Sequence, residues 1–380
     1  MKKLYWRPPG VSRAALMLIT GVAVVSLLAV THFPQVKQQP WSGEKLAAAR
    51  LARDSMAAIK REKVRRAIPI DSRFDPAGTG VIGESITPVT SNTGYLDAKL
   101  TSANPNFAAV IVHLLKQAEV GKDDLVAVGV SGSFPALNVS TYAALATLGA
   151  TPLIIASTAS SEFGANHVGY LWLDMEATLE KHHLIEFRSL AASLGGIDDR
   201  GVGMSDTGRE LLREAIARSG AVRIEADSLT HAIDERMALY ERRAGERPIR
   251  AYINVGGGSA SVGTHVGKKQ FGPGLNRSPP SGEDMADSVM LRFAKRGVPV
   301  IHLSSMKVLA ERYGLPYDPR TEMPIGQGNV YERTEPNRWL AAGGVLAILL
   351  SMLAFIRMDL GARVLRLTPR APKGHPEQMI

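Results

Sequence analysis

The chain has 380 residues, no cysteine and a formal net charge of +9, which together exclude disulfides, thiolate metal sites, cysteine nucleophiles and lipoprotein anchoring. Most of the excess positive charge sits in two terminal flanks: Lys2, Lys3, Arg7 and Arg13 at one end, and Arg357, Arg363, Arg366, Arg370 and Lys373 against Asp359 and Glu377 at the other. The basic balance is therefore a signal of membrane topology and gives no argument for a nucleic-acid partner.

Those flanks bound two uncharged apolar runs, Ala14 to Phe33 and Trp339 to Ile356. A helix needs about 20 apolar residues to cross a hydrocarbon core of about 30 Å. Both runs read as transmembrane helices over 14–33 and 339–356, with the bilayer lipid as their partner. The positive-inside rule then places the flank 1–13 and the basic tail 357–380 in the cytoplasm and the intervening chain on the far side. Ala29-Val30-Thr31 is a poor small-x-small cleavage site and the first run is long for a signal peptide, so it reads as an uncleaved anchor.

After the first run, Ser42 to Arg66 is rich in Ala, Lys and Arg and reads as an exposed or half-packed helix, so that 34–70 forms a membrane-proximal helix and linker. Asp71 to Thr101 holds many Gly, Ser, Thr, Pro and Asn residues and predicts loops and short strands. Asn104-Pro105 opens a helix through about Gln117, with Phe107, Val110, Ile111, Leu114 and Leu115 on one face. Leu125 to Val130 suits a buried strand, Ser140 to Leu148 a helix closed by Gly149, and Pro152 to Ala156 another strand. Ser205 and Asp206 cap a helix ending at Gly220, Asp227 or Ser228 begins one ending near Gly245, and Ile249 to Val255 is a strand. Glu283 to Arg296 predicts a helix closed by Gly297, followed by the strand Pro299 to Leu303. This alternation implies an α/β fold with a mostly parallel, helix-covered sheet over 71–312, as one unit or as two halves, 71–200 and 201–312. Residues 313–338, rich in Pro and Gly, look like a tether to the second apolar run.

Two runs of small residues follow strands, Gly129-Val130-Ser131-Gly132-Ser133 and Gly256-Gly257-Gly258-Ser259-Ala260-Ser261. Open α/β sheets bind ligands at such carboxyl ends. The first run lacks the final glycine of a G-x-S-x-G elbow, and Phe134 to Asn138 separates it from the predicted helix, which argues against that motif. The second is either a tight turn or a backbone nest for an anion. Gly263 to Lys269 is one residue short of a phosphate-binding P-loop and lacks its Ser/Thr. With no nucleotide motif, no cofactor is expected. Asp174 and Glu176 are acid and base candidates or helix caps. His182, His183, Glu180 and Glu186 lack a third well-spaced metal ligand, so no metal site is assigned.

Four segments together, Asn104-Pro105-Asn106-Phe107-Ala108-Ala109, Ser131 to Asn138, Leu173-Asp174-Met175-Glu176 and Arg188 to Gly196, resemble the poly-gamma-glutamate system protein family over about Asp71 to Ser304. The resemblance implies an accessory membrane component, in a bacterial cytoplasmic membrane, that works with a polymer synthase and exporter. It brings no catalytic residues. A chain without a nucleotide motif fits polymer handling, export or anchoring outside the membrane better than ATP-driven synthesis, and catalysis is not expected. The ligand-binding candidates are Ser131, Gly132, Ser133, Asn138, Asp174, Glu176, Gly256, Gly257, Gly258, Ser259 and Ser261. Arg242, Arg243 and Arg247 to Arg250 would supply charge to an anionic polymer. The alternative is an extracytoplasmic hydrolase or transferase of an envelope polymer, using Ser131 or Ser133 with a carboxylate such as Asp174 or Glu176.

Overall fold

The computed structural model describes residues 13–263, 267–282 and 285–358. They form two compact units: residues 38–332, and the segments on either side of that stretch. Most of the charged flanks on which the positive-inside argument rests lie outside the described residues.

In the larger unit, helices α1 (Ser42–Arg65), α2 (Leu96–Ser102) and α3 (Phe107–Gln117) precede the main sheet. Then come β1 (Leu125–Ser131), α4 (Pro135–Leu148), β2 (Thr151–Ser157), α5 (Trp172–Lys181), β3 (Ala191–Ser193), α6 (Asp206–Ser219) and β4 (Val222–Arg223). The chain continues through α7 (Leu229–Ala244), β5 (Ile249–Val255), β6 (Gly274–Asn276), α8 (Val289–Lys295), β7 (Val300–Leu303) and α9 (Met306–Tyr313). The 7-stranded sheet has the order β6-β7-β5-β1-β2-β3-β4. Each neighbouring pair is parallel except β6 with β7.

Every residue of β1 is buried, as a strand covered by helices on both faces requires. Its side chains alternate between two cores. Val126, Val128 and Val130 join the core built with α1, α3 and α4, where Ala48, Ile59, Phe107, Ile111 and Tyr142 pack. Leu125 and Ala127 face the other, with Ile233, Met237 and Tyr240 of α7 and Phe293 of α8. The helix ends follow capping chemistry: Ser205, Ser228 and Ser288 accept hydrogen bonds from the first turns of α6, α7 and α8, and Gly149 and Gly220 close α4 and α6 in the left-handed region.

The structure departs from the sequence expectation at four places. First, α1 is not a half-packed linker: Ala48, Ala49, Ala52, Ala58 and Ile59 are fully buried, because small residues let the helix lie close against α4 and α3. Second, the supposed tether contributes Leu315, Val330 and Tyr331 to the main core. Third, the stretch read as loops contains α2. Fourth, α4 starts at Pro135 rather than Ser140, and α8 starts at Val289 rather than Glu283. Proline at the first helical position sacrifices no hydrogen bond, which moves the start of α4 up against β1.

The smaller unit holds two apolar helices, Arg13–His32 and Arg338–Met358. They pack on each other, and a Cβ added at Gly344 would sit 2.8 Å from Ser26 Cβ, so the small side chain permits the approach. Among the described residues one helix, Arg338–Phe355, is long and apolar enough to cross a membrane; Leu16–His32 is a shorter apolar stretch.

Candidate functional site

Strands β1 and β5 are neighbours from which the chain departs in opposite directions. β1 leads to β2, β3 and β4 on one side, while β5 leads to β7 and β6 on the other. Diverging connections leave a crevice beyond the carboxyl ends of such a pair. A cleft of about 450 Å³ lies there, lined in part by Ser131, Ser133 and Phe134 after β1, Ser157 and Ser161 after β2, and Gly257, Gly258 and Ser259 after β5.

Among the described residues, two lysines and no carboxylate line the cleft. Lys99 comes from α2 and is only 2% exposed. Its Nζ donates to Ser133 O and to Ser161 Oγ at 2.8 Å, and lies 4.0 Å from the centre of the Phe134 ring. Burial, aided by the charge on Lys268, pulls its pKa down from 10.5 to about 7. Lys268 lies in the single turn Gly267–Lys269 and forms no ion pair among the described residues. The backbone N–H groups of Ser133, Phe134, Gly257 and Gly258 likewise take no hydrogen-bond partner among the described residues.

The serines at the strand ends stand in register, Ser131 opposite Ser157 and Ser157 opposite Ser193. Ser157 and Ser193 are tied to a buried ion pair. Arg236 of α7 meets Asp199 at 2.9 Å and also donates to Ser157 Oγ at 3.1 Å and Ser193 Oγ at 2.7 Å. Ser131 Oγ, also buried, has no partner among the described residues. Such an orphan hydroxyl carries a desolvation cost that a bound polar ligand would relieve. Gly256, with φ +85°, brings the second loop in: a Cβ there would lie 3.2 Å from the Phe134 ring and 3.3 Å from Ser131 Oγ.

Of the residues singled out from sequence, Ser131, Ser133, Gly257, Gly258 and Ser259 meet in this cleft. Gly132, Asn138, Gly256 and Ser261 stand behind it. Asn138 Nδ2 holds Ser131 O at 2.8 Å, and Ser261 Oγ accepts from Tyr252 Oη at 3.2 Å. Asp174 and Glu176 are elsewhere. Asp174 accepts from Leu171 N at 2.9 Å and caps α5, while Glu176 is buried among Tyr142, Trp172 Nε1 and Ser189 Oγ. Burial raises the Glu176 pKa above the usual range. Arg247 to Arg250 sit at the amino end of β5, the opposite edge of the sheet from the cleft, and Arg242 and Arg243 end the helix that leads there. The cationic lining therefore comes from lysines that sequence reasoning missed. Lys99 lay in a stretch without period. Ser157 to Ser161 was a third small-residue run after a strand, the same signal that marked the other two.

The strand–turn–helix geometry denied to Ser131 from sequence is present, since α4 begins four residues after it. Ser131 nevertheless closes a regular strand and is not among the residues with positive φ, so the strained backbone of a nucleophile elbow is absent.

Fold and site together define an α/β protein with a mostly parallel, helix-flanked sheet and, at its switch point, a cleft lined by lysines and small polar residues with no carboxylate among the described residues. No family model, curated protein or solved structure matches this chain.

Proposed function

We propose that this chain is a membrane-anchored accessory protein of poly-γ-glutamate synthesis and export that holds the anionic polymer in the switch-point cleft, outside a bacterial cytoplasmic membrane. The observation that carries the reading is a cleft that holds, among the described residues, Lys99, Lys268, unpartnered N–H groups and no lining carboxylate. A polymer bearing one carboxylate per repeat meets complementary charge along such a surface. The apolar helices Arg13–His32 and Arg338–Met358 support anchoring: Met17, Val25, Leu27, Trp339, Leu346 and Leu350 turn apolar surface outward, which lipid would cover. Both termini are then cytoplasmic, and a polymer synthase and exporter are the partners this placement requires.

The test is binding of poly-γ-glutamate to the full chain in detergent across a salt series. Micromolar or tighter binding that weakens with salt, and that Lys268→Glu weakens at least about tenfold, is expected. Absence of salt-sensitive binding would remove the proposal.

A further inference from the structure

We infer that the cleft is also an acyl-transfer centre, in which Ser161 Oγ is the nucleophile and Lys99 Nζ its base, and that it cleaves amide bonds of the chain it binds. The substrate class rests on the binding reading above, whereas the Ser161–Lys99 pair rests on geometry alone.

A buried lysine normally has a carboxylate partner. Lys99 has none. Its surroundings are a carbonyl, Ser133 O, a hydroxyl, Ser161 Oγ, and the Phe134 ring. As an ammonium, Nζ donates to both oxygens; as an amine, its N–H donates to the carbonyl and its lone pair accepts from the hydroxyl, and the set suits that form as well. Among the described residues Ser161 Oγ forms no other hydrogen bond, so its proton has one acceptor there. Among the described residues, the charged group that bears on Lys99 is Lys268, a cation, and no carboxylate lines the cleft to restore the ammonium form. Base and hydroxyl are 2.8 Å apart before any substrate arrives, inside the reach required for proton transfer.

The step balances without an outside reagent other than water. Ser161 Oγ attacks the amide carbonyl carbon as its proton passes to Lys99 Nζ. The C–N bond then breaks, the departing nitrogen takes that proton, and an ester on Ser161 remains. Water, deprotonated by Lys99, cleaves the ester and returns both side chains to their starting forms. The unpartnered N–H groups of Ser133 and Phe134 supply donors on the same wall of the cleft for the charge that develops on the carbonyl oxygen.

A fluorophosphonate probe, which bonds to an activated serine with loss of fluoride, tests the pair independently of the polymer. With the full chain in detergent, peptide mass spectrometry should find the probe on Ser161. The labelling rate should climb as pH rises through about 7, and fall at least about 100-fold in Lys99→Met. A wild-type protein that leaves Ser161 unlabelled overturns the inference, and so does a folded Lys99→Met that labels as fast as wild type. In parallel, poly-γ-glutamate should be shortened by the wild type, while a folded Ser161→Ala leaves its length unchanged. Binding without shortening overturns the cleavage and leaves the binding reading standing. Labelling of Ser161 without polymer binding supports the pair and removes poly-γ-glutamate as its substrate.

Discussion

Ser131, Ser157 and Ser193 occupy equivalent ends of three adjacent strands, yet their neighbours give them different tasks. Ser157 and Ser193 are consumed by the Arg236–Asp199 pair, each member of which is 1% exposed. Removing one partner strands the other charge without water. Arg236→Met should therefore cost about 3–5 kcal/mol, and Arg236→Met with Asp199→Leu should recover part of it; urea unfolding of all three proteins checks the order. The lysines set a pH dependence. Burial lowers Lys99 to about 7 and Lys63 to about 8, so above those values the folded chain has released protons that the unfolded chain keeps until about 10.5. Stability should therefore rise with pH from about 7 toward 10. The penalty is fully present below the folded values. Lys99→Met should flatten the rise, and denaturation midpoints between pH 6 and 9.5 would show it; a decline over that range would contradict the burial argument.

Individual elements owe their positions to few side chains. Asn106, at the start of α3, is fully buried. Its Oδ1 accepts from Gly326 N at 3.0 Å and Tyr331 Oη at 2.9 Å, and its Nδ2 donates to Pro324 O at 2.9 Å. Lys45 of α1 adds a bond from Nζ to Val330 O at 2.7 Å. These contacts fold the Pro/Gly-rich stretch onto the domain, which its composition alone does not announce. Asn106→Leu leaves several buried partners unmet and should cost about 2–4 kcal/mol, with faster amide exchange confined first to residues 324–331. The burial of α1 is testable in the same way: Ile59→Ala should lose about 2–5 kcal/mol, whereas a half-packed helix would tolerate it with under about 1 kcal/mol.

At the scale of the whole chain, the larger unit has its own seven-stranded sheet and its own buried cores. A chain of residues 38–332 should fold alone, with the unfolding midpoint of the full protein and without detergent; aggregation or loss of cooperativity would show that the apolar helices are needed for folding. Reporter fusions test the membrane reading. One after Ser42 should report an extracytoplasmic location and one after Gln378 a cytoplasmic one, and a cytoplasmic signal from the first would return nucleotide chemistry to consideration.

The apolar runs determined much of this outcome without a structure. Four strands, β1, β2, β5 and β7, were legible because strands buried on both faces must be apolar throughout, and glycine or serine at helix ends marked α6 and α7 because a cap is a local hydrogen bond. Strands β3, β4 and β6 were not legible: they span three, two and three residues, mix small and polar side chains, and exist only because an edge was there to pair with. The site divided along the same line. Its small-residue loops showed in the sequence, since close backbone approach demands Gly and Ser wherever it occurs. The pairing of Lys99 with Ser161 across 62 positions, and the exclusion of Asp174, Glu176 and the arginines from the cleft, were decided only by tertiary structure. Burial and the order of strands are properties of the assembled sheet, and no local pattern encodes which side chains it brings face to face.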